Sequence, residues 1–208
     1  MFDNQEFYEL FYEGTRVLKN HLNIQDQAAL DDAEQNITEN KLRTVPDVPM
    51  TFEGFKQVHR HVFEDIYPWA GEVRNYDISK AGMGEDFASH FIIESQGKKL
   101  LDRFAQFPKP DNLHELGDKA GSLLGGLNWL HPFREGNGRA MTAFLTQWTQ
   151  EQGTKINFSE WTRTEWIQAS HNAAFKQNNQ TIIDTINKYT PTNTTTPTNP
   201  SRQTEQER

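Results

Sequence analysis

An all-α fold with one short β-hairpin is predicted for this chain of 208 residues. Apolar residues recur at helical spacing along most of the length, Pro- and Gly-rich segments separate these runs, and one stretch alternates like a strand. The length suits a single domain with a core of its own. We therefore expect one domain over residues 1–189 and a disordered polar tail over residues 190–208.

The first predicted elements are N-terminal helices within residues 5–42. Apolar residues from Gln5 to Leu22 have broadly helical spacing, and Gln25 to Leu42 has the pattern of a second, more polar helix. Pro46 and Pro49 end this region. The core of the domain, residues 51–189, then begins with a helix that starts at Thr51 and runs to about Asp65.

A short hairpin is predicted next. Val73 to Ile78 alternates as a strand does, and Phe87 to Ile93 could form the return strand before a helix begins near Glu94. The Gly-containing segment between them supplies turn residues. The pattern alone leaves two interpretations open, a functional flap and a surface loop without a role.

Helices account for the rest of the core. We expect one with Asp111 as N-cap that reaches Leu130, and another from Gly138 or Arg139 to about Gln152. A third, capped by Ser159 or Thr162, passes through Phe175, and the last runs from Gln180 to Tyr189.

Composition excludes several classes of protein. The chain has no cysteine, which rules out disulfides, thiolate metal sites and cysteine nucleophiles. Its net charge of −8 disfavours nucleic acid as a partner. No stretch approaches the ~18 apolar residues of a membrane span, so we expect no membrane partner and a cytoplasmic protein.

The loop from Leu130 to Arg139 has the residue types of a phosphate site. Gly136, Asn137 and Gly138 can adopt positive φ values and turn successive backbone N–H groups toward an anion. The helix that follows adds its free amides and the positive end of its dipole. Arg139 would add a charge-assisted bond to a phosphate oxygen.

Three neighbours complete the loop. Glu135 is placed to hold Mg²⁺ together with phosphate oxygens and water. His131 precedes Pro132, which disfavours a helical conformation for it, and an imidazole with a reference pKa near ~6.5 suits a general base. Phe133 is expected to anchor the loop in the core. Each short piece is weak evidence alone, and the combination is more specific.

At this point the sequence resembles the Fic family. The run His131–Arg139 matches the signature His-x-Phe-x-(Asp/Glu)-Gly-Asn-Gly-Arg at every specified position, and Phe63–Arg74 resembles the family's lead into its flap. The resemblance covers roughly Tyr8 to Tyr189. It implies a helical Fic domain and a bacterial AMP-transferase with ATP as substrate and Mg²⁺ as cofactor.

The resemblance also implies roles for individual residues. The matched His131 would deprotonate a Ser, Thr or Tyr hydroxyl of a target protein, which attacks the α-phosphate of ATP and displaces pyrophosphate. Glu135 would hold Mg²⁺, and the phosphates would lie on Gly136, Asn137, Gly138 and Arg139. Lys80 and Ala81 would also contact the nucleotide. The target would dock on a flap formed by Ser79, Lys80, Ala81, Gly82, Met83, Gly84, Glu85 and Asp86.

The sequence departs from the family pattern at Thr142, where a second arginine would hold the terminal phosphate of ATP. The departure leaves three alternatives open: another nucleotide donor, removal of AMP, or a binding module without turnover. No full copy of the family's inhibitory Ser/Thr-x-x-x-Glu-Gly/Asn motif is present. The simplest hypothesis is that restraint comes from a separate small inhibitory (antitoxin) protein, or that the chain is not restrained in this way.

Overall fold

The computed structural model describes residues 9–78 and 86–190. Helices dominate this part of the chain, as predicted, and none of them is long and apolar enough to cross a membrane. Short 3-10 helices, His90–Ile92 and Phe158–Glu160, lie before the third and sixth α-helices. The α-helices are α1 (Gln27–Leu42), α2 (Phe52–Phe63), α3 (Ile93–Ala105), α4 (Leu113–Leu130), α5 (Asn137–Glu151), α6 (Arg163–Phe175) and α7 (Gln180–Tyr189).

Side-chain caps explain where several helices begin. The Thr51 hydroxyl accepts the Gly54 N–H at the start of α2, and Thr162 forms a capping box with Glu165 at the start of α6. The prediction of Asp111 as the cap of α4 is wrong by one residue. Asn112 accepts the Glu115 N–H instead, and the Asp111 N–H donates to the Glu115 carboxylate.

The predicted helix from Gln5 to Leu22 is also wrong over its described part, residues 9–22. A turn around Gly14, which has φ of +71°, brings Phe11 and Leu18 together as an antiparallel bridge. The apolar residues of this segment therefore meet across a turn and not along a helix face. Val17 and Leu18 become buried in the process.

Helix α4 lies at the centre of the main core, against α3, α5, α6 and α7. Its glycines allow neighbouring residues to approach the helix closely. A Cβ at Gly121 would lie 2.6 Å from the Asn179 side chain, and one at Gly125 would lie 2.7 Å from the Ala173 carbonyl oxygen. The middle of α4 therefore lies close against α6 and the start of α7.

A second, smaller core joins α1 to the N-terminal segment and the end of α2. It is built from Val17, Leu18, Leu30, Val62, Phe63, Ile66, Tyr67 and Ala70. This arrangement places α1 beside the start of α5, where the predicted phosphate loop ends.

The two arms of the predicted hairpin differ from their prediction. Val73 to Ile78 and Phe87 to Ser89 are irregular, and the predicted return strand ends in a 3-10 helix and the start of α3. The strand boundaries are wrong because these amides bond elsewhere: the Arg74 N–H donates to Pro132 and the Ala88 N–H to Trp129. Residues 79–85, most of the predicted flap, lie outside the described residues, as does the predicted tail after Thr190.

Candidate active site

His131 ends α4 in a conformation that turns the chain out of the helix. Its backbone has φ 40° and ψ 59°, in the left-handed region, and its N–H still donates to the Leu127 carbonyl. The following proline excludes continuation of the helix, as the sequence predicts. The imidazole stacks on the ring of Phe87, with 4.0 Å between centroids.

Residues 133–137 form a closed loop held by the Asn137 side chain. Its side-chain oxygen accepts the Phe133 N–H at 3.0 Å, and its amide nitrogen donates to the Phe133 carbonyl at 2.8 Å. Phe133 is fully buried and stacks on His59, which confirms it as the anchor of the loop. The Asn137 side chain is therefore structural, and its backbone remains for an anion.

Gly136 is required by both conformation and space. Its φ is +80°, and a Cβ would lie 2.2 Å from a ring carbon of Phe63. The first helical bond of α5 runs from the Ala140 N–H to the Gly136 carbonyl. The N–H groups of Asn137, Gly138 and Arg139 thus have no acceptor within the helix and form an anion site at its positive end.

Arg139 is fixed by partners from α1 that the sequence analysis did not identify. Its Nη2 donates to Glu34 at 2.5 Å and its Nη1 to Thr38 at 3.2 Å, while its guanidinium lies 4.7 Å from the Phe63 ring centroid. The Tyr67 hydroxyl donates to the other Glu34 oxygen. Burial and this bond raise the pKa of Tyr67, so the phenol keeps its proton.

Glu135 is the acidic residue of the loop, and its side chain is half exposed. Within the described residues, both contacts of its carboxylate involve Oε1, one with the Gly136 N–H and one with Arg139 at 3.8 Å. Neither contact involves Oε2, the oxygen that could bind a cation. The described residues contain no group of three His, Asp or Glu side chains that could hold a metal. The single Glu135 carboxylate still fits Mg²⁺, because this ion takes one or two carboxylates together with phosphate oxygens and water.

His59 supports the loop from beneath. Its Nδ1 accepts the Gly71 N–H at 2.9 Å, so its Nε2 carries the proton and donates to the Glu135 carbonyl, also at 2.9 Å. Burial lowers its pKa to about 4, and the imidazole is neutral near pH 7. His59 is therefore a buried packing residue that also positions Glu135.

An open cleft of about 670 Å³ collects the loop residues. His131, Glu135, Gly136, Gly138 and Arg139 line one side of it. Phe158, Trp161 and Trp166 also line the cleft, and their rings contact one another to form an aromatic wall. A helix cap was predicted at this wall, but the position of the wall in the cleft was not, because it depends on how α6 packs on α4.

Thr142 also lines the cleft, one turn into α5. Its hydroxyl donates to the Gly138 carbonyl at 2.9 Å and is therefore engaged by its own helix. Of the predicted flap, Asp86 is described and exposed, whereas Ser79, Lys80, Ala81, Gly82, Met83, Gly84 and Glu85 lie outside the described residues.

Comparison with known proteins indicates one family. The model of the Fic/DOC family matches residues 49–148. A probable protein adenylyltransferase, y4lH of Sinorhizobium fredii, is 38% identical over 159 residues, which cover 73% of this chain and 80% of the relative. The protein adenylyltransferase VbhT of Bartonella schoenbuchensis is 35% identical over 162 residues, or 75% of this chain and 34% of that longer protein.

Solved structures share the fold. The crystal structure of BepC from Bartonella tribocorum, a VirB-translocated effector protein with bound AMPPNP, superimposes with a TM-score of 0.80 at 24% identity. The match covers 87% of this chain and 95% of that one. At this identity the likeness supports the helical architecture only.

Proposed function

Because the chain belongs to the Fic/DOC family, we propose that it is a protein adenylyltransferase in which His131 is the catalytic base. One observation carries the assignment of the site. The histidine, the acidic residue, the glycines and the arginine of the signature loop line a single cleft, at the start of a helix whose free amides favour an anion.

His131 takes the proton from a Ser, Thr or Tyr hydroxyl of the target protein. The hydroxyl oxygen attacks the α-phosphorus of ATP, the bond to the β-phosphate oxygen breaks, and pyrophosphate leaves. The target keeps AMP as a phosphodiester. The phosphates lie against the amides of Asn137, Gly138 and Arg139, where fixed dipoles and the guanidinium stabilise the developing charge.

Glu135 holds Mg²⁺ in this proposal through its half-exposed carboxylate. The ion would neutralise charge on the phosphates when it is bound. The adenine ring lies against the aromatic wall, since flat bases stack on aromatic side chains. Trp166 supports this placement, because it lines the cleft and is only partly buried.

The target protein docks on the segment Ser79 to Asp86, where Lys80 and Ala81 also contact the nucleotide. A cytoplasmic location and a separate small inhibitory protein of antitoxin type complete the proposal. The support for an external inhibitor is the lack of the family's inhibitory motif in the sequence.

The proposal is tested by transfer of α-labelled AMP from ATP to proteins in a lysate. We expect His131→Ala to lower transfer by about 10²–10⁴-fold, the usual contribution of a general base. His114→Ala, which changes an exposed histidine outside the cleft, is the matched control and should transfer as the wild type does. Label that persists in His131→Ala would exclude this residue as the base.

Thr142 gives a second expectation within the same assay. An arginine at this position would reach the phosphates in place of a hydroxyl that bonds its own helix. We expect Thr142→Arg to raise transfer from ATP by roughly tenfold or more, since a hydrogen bond to a charged group contributes about 1.5–3 kcal/mol. Faster transfer from labelled UTP or GTP than from ATP, with wild-type protein, would contradict ATP as the donor.

A further inference from the structure

Arg74 is a fully buried arginine whose hydrogen bonds within the described residues all go to backbone oxygens, with the Asp77 carboxylate farther away at 3.8 Å. Its Nε donates to the His131 carbonyl at 2.8 Å, and its Nη2 donates to Leu130 at 3.2 Å and to Ala88 at 2.5 Å. Its Nη1 donates to Tyr76 at 2.7 Å. Four of the five guanidinium N–H groups are therefore accounted for.

These acceptors come from three separate places in the chain. Tyr76 belongs to the arm that leads into residues 79–85, and Ala88 belongs to the arm that leaves them. Leu130 and His131 form the C-terminal end of α4, where carbonyl groups carry the negative end of the helix dipole. A single side chain thus connects both arms to the residue that we propose as the base.

Backbone and ring contacts strengthen the same connection. The Arg74 N–H donates to the Pro132 carbonyl at 2.8 Å, and the Ala88 N–H donates to the Trp129 carbonyl at 2.9 Å. The Phe87 ring, in the second arm, stacks on the His131 imidazole. The backbone and the ring of His131 are therefore both held by the arms.

An arginine suits this position better than another cation would. Its planar fork reaches several carbonyl oxygens at once, whereas a lysine has three donors on one nitrogen. Burial of the group is costly unless its donors are satisfied, and here four of the five are, with the Asp77 carboxylate 3.8 Å from Nη1. A cation with a purely structural role could lie at the C-terminal end of any helix. The Arg74 guanidinium, in contrast, donates directly to the backbone carbonyl of His131.

We propose that Arg74 is a positioning residue that sets the orientation of His131 together with the seating of both flap arms. The proposal rests on the proposed function, because it assigns the flap as the docking site of the target and His131 as the base. Seating of the target and orientation of the base are then two results of one set of hydrogen bonds.

The test compares Arg74→Met and Arg74→Lys in the full chain. In Arg74→Met we expect loss of the NMR cross-peak between the ring protons of Phe87 and His131. Amide hydrogen exchange should rise together at residues 86–89 and 130–133. AMP transfer should fall on the order of 100-fold, as for a misplaced catalytic group, while the affinity for AMPPNP changes little. Arg74→Lys should restore part of each signal.

Leu101→Ala, in the main core, controls for a general loss of stability. If Arg74→Met does not fold, Phe87→Leu tests the ring contact alone, and we expect it to lower transfer with AMPPNP affinity kept. The inference is overturned if the Phe87–His131 cross-peak and local exchange stay unchanged, or if Leu101→Ala reproduces the same losses. Absence of transfer in the wild type would refute the proposed function, and the cross-peak and exchange would still decide the role of Arg74.

Discussion

At the scale of single residues, some side chains of the signature loop line the cleft and others hold the loop backbone in place. His131, Glu135 and Arg139 line the cleft. The side-chain oxygen and nitrogen of Asn137 both bond to the Phe133 backbone, and the Phe133 ring is buried against His59. The loop therefore has a fixed shape before any nucleotide binds, and its amides need no reorganisation to receive an anion.

His59 makes this shape sensitive to acid. Its pKa is lowered to about 4 by burial, against about 6.5 in an unfolded chain. Below pH 6.5 the unfolded chain binds a proton that the folded protein excludes, so stability is complete above that pH and falls as pH drops toward 4. We expect this group to remove roughly 2–3 kcal/mol from the free energy of unfolding between pH 7 and about pH 4.5.

Urea unfolding of the wild type and of His59→Asn at both pH values measures this contribution. Asparagine retains a donor and an acceptor but does not titrate in this range. The variant should be less stable at pH 7, and it should lose less stability on acidification because position 59 no longer takes up a proton. The carboxylates are common to both proteins, so their contribution cancels in the difference. Equal losses in the two proteins would show that His59 is not the responsible group.

At the scale of elements, the junction between the loop and α5 depends on Gly136. We expect Gly136→Ala to lower the free energy of unfolding by about 3 kcal/mol or more, because positive φ and overlap with the Phe63 ring both oppose a Cβ. Gly153→Ala is the matched control, since φ there is +100° and nothing lies within 4 Å of the added atom. It should cost about 1–2 kcal/mol. Equal costs, measured by urea unfolding, would exclude the contact with Phe63.

The elements whose signals are local could be predicted from the sequence. The start of α2 at Thr51 and the bounds of α7 were predicted because caps and apolar spacing act within a few residues. The N-terminal segment was not, since the same spacing also suits a turn that a Gly14 with positive φ allows. Periodicity cannot separate these cases.

The candidate site also has a part that the sequence predicts and a part that it does not. Its loop was predicted because the signature is contiguous in sequence. Its supports were not, because Arg139 meets Glu34 across 105 residues and Arg74 meets Leu130 across 56. Such pairs depend on how the helices pack, and a single sequence contains no direct signal of it.

At the scale of the whole molecule, two apolar cores meet along α2. Phe55 and Val58 belong to the main core, and Val62 and Phe63 belong to the smaller one. The smaller core fixes α1, which presents Glu34 and Thr38 to Arg139. Residues 1–189 as a single domain remain our prediction, and this sharing of α2 supports it.

The smaller core should then influence the nucleotide site from a distance. Leu30 lies one turn before Glu34 on α1, and like Leu101 of the main core it is 1% exposed. We expect Leu30→Ala and Leu101→Ala each to lower the free energy of unfolding by about 2–5 kcal/mol. Only Leu30→Ala loosens the helix that holds Arg139, so it should also weaken AMPPNP binding by roughly tenfold, the loss of about one charge-assisted contact. Calorimetric titration at a temperature where both variants are fully folded measures this. Equal affinities would show that α1 has no influence on the phosphate site beyond its contribution to stability.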